Sequence, residues 1–111
     1  MRLIIGACAA LWLLSGAAQA ETGRASFYGA ESGRRAANGS VFRPMGLTAA
    51  HRSWKFGSRV RVCLVGCVDI VITDRGPAKR MGRMLDLSRG AARLIGLERR
   101  GVATIHFERL N

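Results

Sequence analysis

The sequence predicts a small, mainly β domain: a barrel of short strands with one inserted helix. Three observations carry this. Short alternating or β-branched apolar runs recur through the second half of the chain. One segment has helical spacing with a cap residue at each end. The 111 residues contain only 2 prolines, few breaks for strands to work around. Several short strands and one helix suit a small barrel. Periodicity alone does not separate it from an OB-fold or an SH3-like barrel.

The elements follow in chain order. Residues 1–20 read as a signal peptide: Arg2 gives the positive start, Leu3 to Leu14 the apolar stretch, and Ala18-Gln19-Ala20 a small-x-small cleavage site. An uncleaved anchor is the alternative, but the apolar stretch is short for a membrane span. Cys8 lies inside that stretch and Glu21 follows Ala20, which argues against a lipid anchor. The mature domain is then 21–111. Arg24 to Tyr28 is a short strand. Gly29 to Phe56 is rich in Gly, Ala, Arg and Asn with little periodicity, and long ordered loops are usually functional. Arg59 to Leu64 alternates charge with valine. Cys67 to Thr73 is dense in β-branched residues, as expected of a strand buried on both faces. Met84 to Leu87 is a further apolar run. Ser88 caps a helix whose stripe is Ala91, Ala92, Leu94 and Ile95, with Gly96 as its C-terminal stop. Val102 to Phe107 is the last strand, and His106 is read there as a face residue without a role.

Charge and cysteines bound the partners. The net charge is +11, falling to +10 when Arg2 leaves with the signal, and nearly all of it is arginine. Such a charge implies an anionic partner or surface, or simply a solvated basic exterior. Nucleic acid fits a cytosolic chain; export favours envelope polymers instead. With Cys8 removed, Cys63 and Cys67 remain and read as one disulfide across a hairpin turn. Metal binding, the alternative, lacks ligands beyond His51 and His106. No cofactor is expected.

Three segments carry a resemblance: Ala25-Ser-Phe-Tyr-Gly29; Ala37-Asn-Gly-Ser-Val-Phe42 running on to Leu47-Thr-Ala-Ala-His51; and Thr73-Asp-Arg-Gly-Pro77 with Gly82-Arg-Met-Leu-Asp-Leu-Ser88. In this order and spacing they resemble the rare-lipoprotein-A family of septal lytic transglycosylases, from about Arg24 to Phe107. The resemblance implies a six-stranded double-psi β-barrel, the fold shared with expansins and barwin. The cleaved signal peptide, without a lipid anchor, makes the expected protein periplasmic or secreted, a monomer without stable membrane insertion. Its activity would be endolytic cleavage of peptidoglycan glycan strands to anhydro-muramic ends. A non-catalytic, expansin-like peptidoglycan-binding barrel is the alternative, and a basic antimicrobial or inhibitor-like barrel a third.

The same resemblance assigns the residues. Asp74, at a strand end before Arg75-Gly76-Pro77, is the expected acid/base, with a turn-capping Asp paired to Arg75 as the bland reading. His51 is the expected partner that holds or polarises Asp74 by a hydrogen bond. Tyr28, Asn38, Ser40, Arg75 and Asp86 are the expected substrate-binding residues. Ser40 stands where active family members carry a glutamate, which favours the non-catalytic alternative. Glu31, upstream in the same loop, is the one acid that the sequence offers as a substitute. Trp54 is either core or a sugar platform.

Overall fold

The structure is a computed structural model that describes residues 20–29 and 33–111. The signal segment with Cys8, and the loop acid Glu31, lie outside the described residues. Six strands close into a barrel: β1 (Glu21–Tyr28), β2 (Thr48–Ala50), β3 (Arg59–Cys63), β4 (Cys67–Asp74), β5 (Leu85–Ser88) and β6 (Ala103–Arg109). Around the barrel the order is β1-β5-β2-β4-β3-β6, with β6 returning to β1. The pairs β1–β5 and β2–β4 are parallel and the other four antiparallel. Closure leaves no sheet edge to template aggregation. The mainly β barrel with one inserted helix is the predicted architecture.

Alternation builds the core. Val60 and Val62 of β3, Ile70 and Ile72 of β4, Leu85 and Leu87 of β5, and Ile105 and Phe107 of β6 point inward. Each fully buried aliphatic side chain contributes about 1.5–3 kcal/mol. The neighbours between them point out, so β4 is not buried on both faces as its composition suggests. Val68, Val71 and Thr73 are only partly covered. Its β-branched density reflects a pleated, half-buried wall rather than a two-sided one.

Helix α1 (Arg89–Ile95) follows β5 with no linker. Ser88 does three jobs at that junction: its Oγ accepts from Ala91 N–H (3.3 Å) and Thr48 N–H (3.4 Å) and donates to the Gly46 carbonyl (2.5 Å). Gly90 lets the 43–46 loop approach the helix, for a Cβ there would lie 2.5 Å from the Met45 carbonyl oxygen. Ala91, Ala92 and Ile95 seal the barrel, but Leu94 is 59% exposed and does not belong to the stripe. Gly96 ends the helix in the left-handed region at φ 84°. The β3–β4 hairpin closes on that helix end. Cys63 and Cys67 face each other and are joined by a disulfide, and Val65 N–H donates to the Ile95 carbonyl (2.9 Å).

The irregular 33–47 stretch lies over the outer side of β1 and β4 and runs into β2, a barrel strand between β5 and β4 that the sequence did not mark. There Tyr28, Phe42 and Ala50 form a second, small apolar cluster outside the main core.

Candidate functional site

A single irregularity creates the site. In the parallel pair of β2 and β4, Thr48 faces Val71, Ala49 faces Ile72, but Ala50 faces Asp74. Thr73 is therefore an extra residue in β4. Strand side chains alternate, so in a strand without a bulge Asp74 would share the inward parity of Ile70 and Ile72. The bulge turns the carboxylate out of the barrel wall instead. The covering loop locks this arrangement: Asn38 N–H donates to the Thr73 carbonyl (3.1 Å), and Ala37 N–H donates to Asp74 Oδ1 (2.9 Å).

Register then sets the neighbours. Ala50 pairs with Asp74 on one side and Asp86 on the other, and Asp86 pairs with Ser26 of β1. Ser26, Asp86, Ala50 and Asp74 thus form one row across four strands. Tyr28, Ala50, Asp74, Arg75 and Asp86 line an open cleft of about 320 Å³. The small Ala50 side chain forms the floor between the two acids.

Hydrogen bonds distinguish the two oxygens of Asp74. Oδ1 accepts the backbone N–H of Ala37 (2.9 Å) and of Arg75 (2.9 Å). Among the described residues, Oδ2 has only the Tyr28 hydroxyl, 3.5 Å away. No salt bridge reaches Asp74 among the described residues. The Arg75 guanidinium turns away, donating to the carbonyls of Trp54 (2.7 Å) and His51 (3.3 Å) and lying 3.9 Å from the Phe56 ring centre. Asp74 does cap its own turn, through Arg75 N–H, yet it is not neutralised by the Arg75 side chain.

Tyr28 is buried and stacks on Phe42 with ring centres 4.8 Å apart. Burial, then the charge of Asp74, then that of Asp86 and the hydrogen bond to Asp74, push its phenol well above the usual tyrosine range. It stays a proton donor at any physiological pH.

His51 departs from expectation. Its backbone N–H donates to the Asp74 carbonyl (3.2 Å), but no hydrogen bond joins its imidazole to the Asp74 carboxylate among the described residues. Nδ1 instead accepts from Ser53 N–H (3.1 Å) and Trp54 N–H (3.0 Å). The ring is buried and stacks on Trp54 at 3.8 Å. Burial first, then Arg52, Arg109 and Arg75, lower its pKa to about 4, so it is neutral. The imidazole organises a tight turn, and burial, followed by the cationic surroundings, explains why it does not act as a charged partner to Asp74. Trp54 is equally committed: His51 stacks on it, Phe107 tilts against it, and the Arg109 guanidinium lies 4.6 Å from its ring centre.

Asn38 and Ser40 sit in the covering loop. The Asn38 Oδ1 accepts from Ser40 N–H (2.9 Å) and Ser40 Oγ (2.6 Å), an Asx turn that leaves both beside the cleft rather than lining it. His106 is exposed on β6, paired with Cys63 and Thr22. Sequence reasoning missed Ser26, Ala37, Phe42 and Ala50. Their only signals were membership of the matched segments and, for Ala50, smallness.

A family model described as lytic transglycolase matches residues 20–107. The "Probable endolytic peptidoglycan transglycosylase RlpA" of Nostoc sp. is 49% identical over 92 residues, covering 78% of this chain and 24% of the relative. The "Endolytic peptidoglycan transglycosylase RlpA" of Pasteurella multocida is 41% identical over 93 residues, covering 80% and 31%. The chain therefore spans only about a quarter to a third of the length of these relatives. Among solved structures, the Streptomyces papain inhibitor superposes with a TM-score of 0.68 at 20% identity, over 84% of this chain and 96% of the inhibitor. An apo expansin of Clavibacter michiganensis gives 0.66 at 21%, over 84% and 51%. At such identities these two likenesses concern the fold alone. The barrel, the matched segments and the extent of the family match agree: the chain belongs to the lytic transglycolase family of double-psi β-barrels.

Proposed function

We propose that this protein is an endolytic peptidoglycan lytic transglycosylase that works outside the cytoplasm as a monomer after removal of residues 1–20. The observation that carries the reading is the placement of Asp74: a carboxylate turned out of the barrel wall by a bulge, in no ion pair among the described residues, and lining an open cleft. The names of the relatives support glycan strands of peptidoglycan as the substrate.

The chemistry asks for one carboxyl group that gives and then takes a proton. The two backbone N–H groups on Oδ1 leave Oδ2 as the oxygen that carries it. Protonated Oδ2 passes its proton to the glycosidic oxygen as the bond from that oxygen to the anomeric carbon breaks. The muramic C6 hydroxyl then attacks the anomeric carbon and returns a proton to Oδ2. The new bond closes the anhydro ring, no water is consumed, and Asp74 ends as it began. His51 acts as a positioning residue, fixing the Asp74 backbone and the 51–54 turn. Tyr28 and Asp86 flank the sugar, with Arg75, Asn38 and Ser40 shaping the rim.

One observation favours a second reading, a peptidoglycan-binding barrel without turnover. Ser40 stands in place of the family glutamate, and its hydroxyl is engaged by Asn38. Digestion of denuded peptidoglycan with mass spectrometry of the products separates the two. Anhydro-muramic ends that vanish in Asp74→Asn are the expected result. Retention on sacculi with no released fragments, by wild type, overturns the enzymatic reading.

A further inference from the structure

We propose that the protein docks reversibly on an anionic phospholipid surface through the outer face of helix α1 and the two loops packed against its ends. The inference stands apart from the lytic reading and uses none of the cleft residues.

Two close approaches build the apolar part of this face. Met45 of the covering loop lies over Gly90 at the start of α1, where a Cβ would come within 2.5 Å of the Met45 carbonyl oxygen. Val65, in the turn of the β3–β4 hairpin, lies over Gly96 at the end of the helix, its Cγ2 3.0 Å from where a Cβ on Gly96 would stand. Leu94 falls one turn after Gly90, on the same side of the helix. Met45, Leu94 and Val65 therefore follow one another along α1, and they are 54%, 59% and 81% exposed. Val41 and Leu47, also exposed, extend the patch along the loop, and residues 41–46 line an open hollow of about 620 Å³. Exposed apolar side chains are ordinary when scattered, but gathered on one face they mark a contact surface.

The charges around the patch name the partner. Arg43 lies in the loop, Arg89 and Arg93 on the helix, and Arg99 and Arg100 just after it; Glu98 is the one acid in 41–47 and 89–100. Glu98 is shared by Arg89 (3.7 Å) and Arg93 (3.1 Å), so it cancels the charge of one of them. Arg43, Arg99 and Arg100 are exposed and in no ion pair among the described residues. Aliphatic tips ringed by arginines match a bilayer with anionic headgroups: the guanidinium groups reach phosphates while the tips enter the boundary of the acyl chains. A second copy of the chain would bring the same arginines face to face. Protein hot spots favour Trp and Tyr and are poor in Leu and Val, and no aromatic residue is among the large exposed apolar side chains described.

All six strands and the main core lie within residues 21–109, so the 21–111 domain is the protein tested; the apolar residues 3–14 would bind bilayers by themselves. Sedimentation with vesicles of phosphatidylethanolamine containing about one-quarter phosphatidylglycerol is compared with phosphatidylcholine alone. Wild type is expected to bind the anionic vesicles at least tenfold more tightly, on the order of two arginine contacts. Leu94→Gln and Val65→Ser together leave the charge unchanged and are expected to lower the partition coefficient about tenfold. Arg99→Gln is expected to lower it about fivefold. Met45→Gln, outside any helix or strand, replaces either apolar substitution if its melting curve shows loss of the fold. Equal binding to both vesicle types, or none, overturns the proposal. Binding to anionic vesicles that the double variant changes by less than about twofold also overturns it, for that is adsorption of a basic protein by charge alone. A dimer in sedimentation velocity that the double variant dissolves gives the patch to a second copy and overturns it too. None of these outcomes bears on the lytic reading.

Discussion

Tyr28 is the sole tyrosine of the chain, so its ionisation is directly visible. An unfolded tyrosine ionises near pH 10. In the folded protein burial under Phe42 and the two nearby carboxylates hold the proton on well beyond that point. A raised folded pKa means stability that is fully present below pH 10 and is lost as pH climbs above it. The loss is about 1.4 kcal/mol at pH 11 and about 2.7 kcal/mol at pH 12, taken from the unfolded state's ionisation alone.

Replacing Tyr28 with Phe removes that sensitivity and keeps the stack on Phe42. It also removes a 3.5 Å hydrogen bond to Asp74, a loss of about 0.5–1.5 kcal/mol at neutral pH. The two effects oppose each other. Wild type is therefore expected to be the more stable protein at pH 7, and the variant the more stable above a crossing between about pH 10 and pH 11. Denaturant unfolding of both proteins across this range gives the curves, and lysine and arginine titration cancels in the difference. Absorbance at about 295 nm provides a second readout: tyrosinate should appear only with unfolding. A stability difference that does not change with pH, or a phenol half-ionised near pH 10 in the folded protein, refutes the reasoning.

The remaining predictions concern the supports of the site. His51, with its pKa lowered to about 4, contributes stability that is present above pH 6.5 and lost below it. The slope should be about 1.4 kcal/mol per pH unit down to pH about 4, and His51→Asn should flatten it. A His51 imidazole NMR titration, assigned with the His51→Asn variant, that is centred near 6.5 contradicts this. Reducing Cys63–Cys67 opens a five-residue loop and should lower stability by about 2 kcal/mol, seen as a drop in melting temperature on adding reductant. Gly90→Ala gains helix propensity of about 1 kcal/mol, but its Cβ meets Met45 backbone that cannot swing aside. The net should be a destabilisation of about 1–3 kcal/mol, and an unchanged melting curve rules out the close approach.

Much of the fold was legible because each clue was local. The Val60–Val62 alternation, the Ser88 cap and the Gly96 stop depend on residues a few positions apart. Leu94 misled because helical spacing alone does not say how wide the buried face is. β2 escaped notice because three residues, two of them alanine, carry no period. The site was legible only in part for a related reason. Asp74, Tyr28 and Asp86 stood out through the family resemblance, but what joins them is a bulge. A bulge is a relation between two strands, and nothing in Ile72-Thr73-Asp74 alone marks Thr73 as the extra residue. The imidazole of His51 was expected at Asp74 because the histidine lies in a matched segment. Its side chain is instead consumed by the two N–H groups of the turn it begins.

The most basic feature of the sequence and the anionic cleft are reconciled by where the arginines spend their donors. Arg75 gives its guanidinium to the carbonyls of His51 and Trp54 and to the face of Phe56. Arg52 bridges the carbonyls of Pro77 and Arg83, and Arg35 binds the carbonyl of Gly39. Arg75 lines the cleft, and each of these side chains stitches a loop instead of pairing with Asp74 or Asp86. Backbone carbonyls hold a guanidinium by hydrogen bonds without cancelling its charge, so these side chains stay positive without pairing with either acid. A carboxylate that must exchange a proton cannot be clamped in a salt bridge, because the bridge favours only its charged form. The arrangement meets that condition in a chain where cations outnumber acids by 18 to 7. On the proposed lytic reading, the loops carrying the arginines therefore belong to the chemistry as much as the acids do.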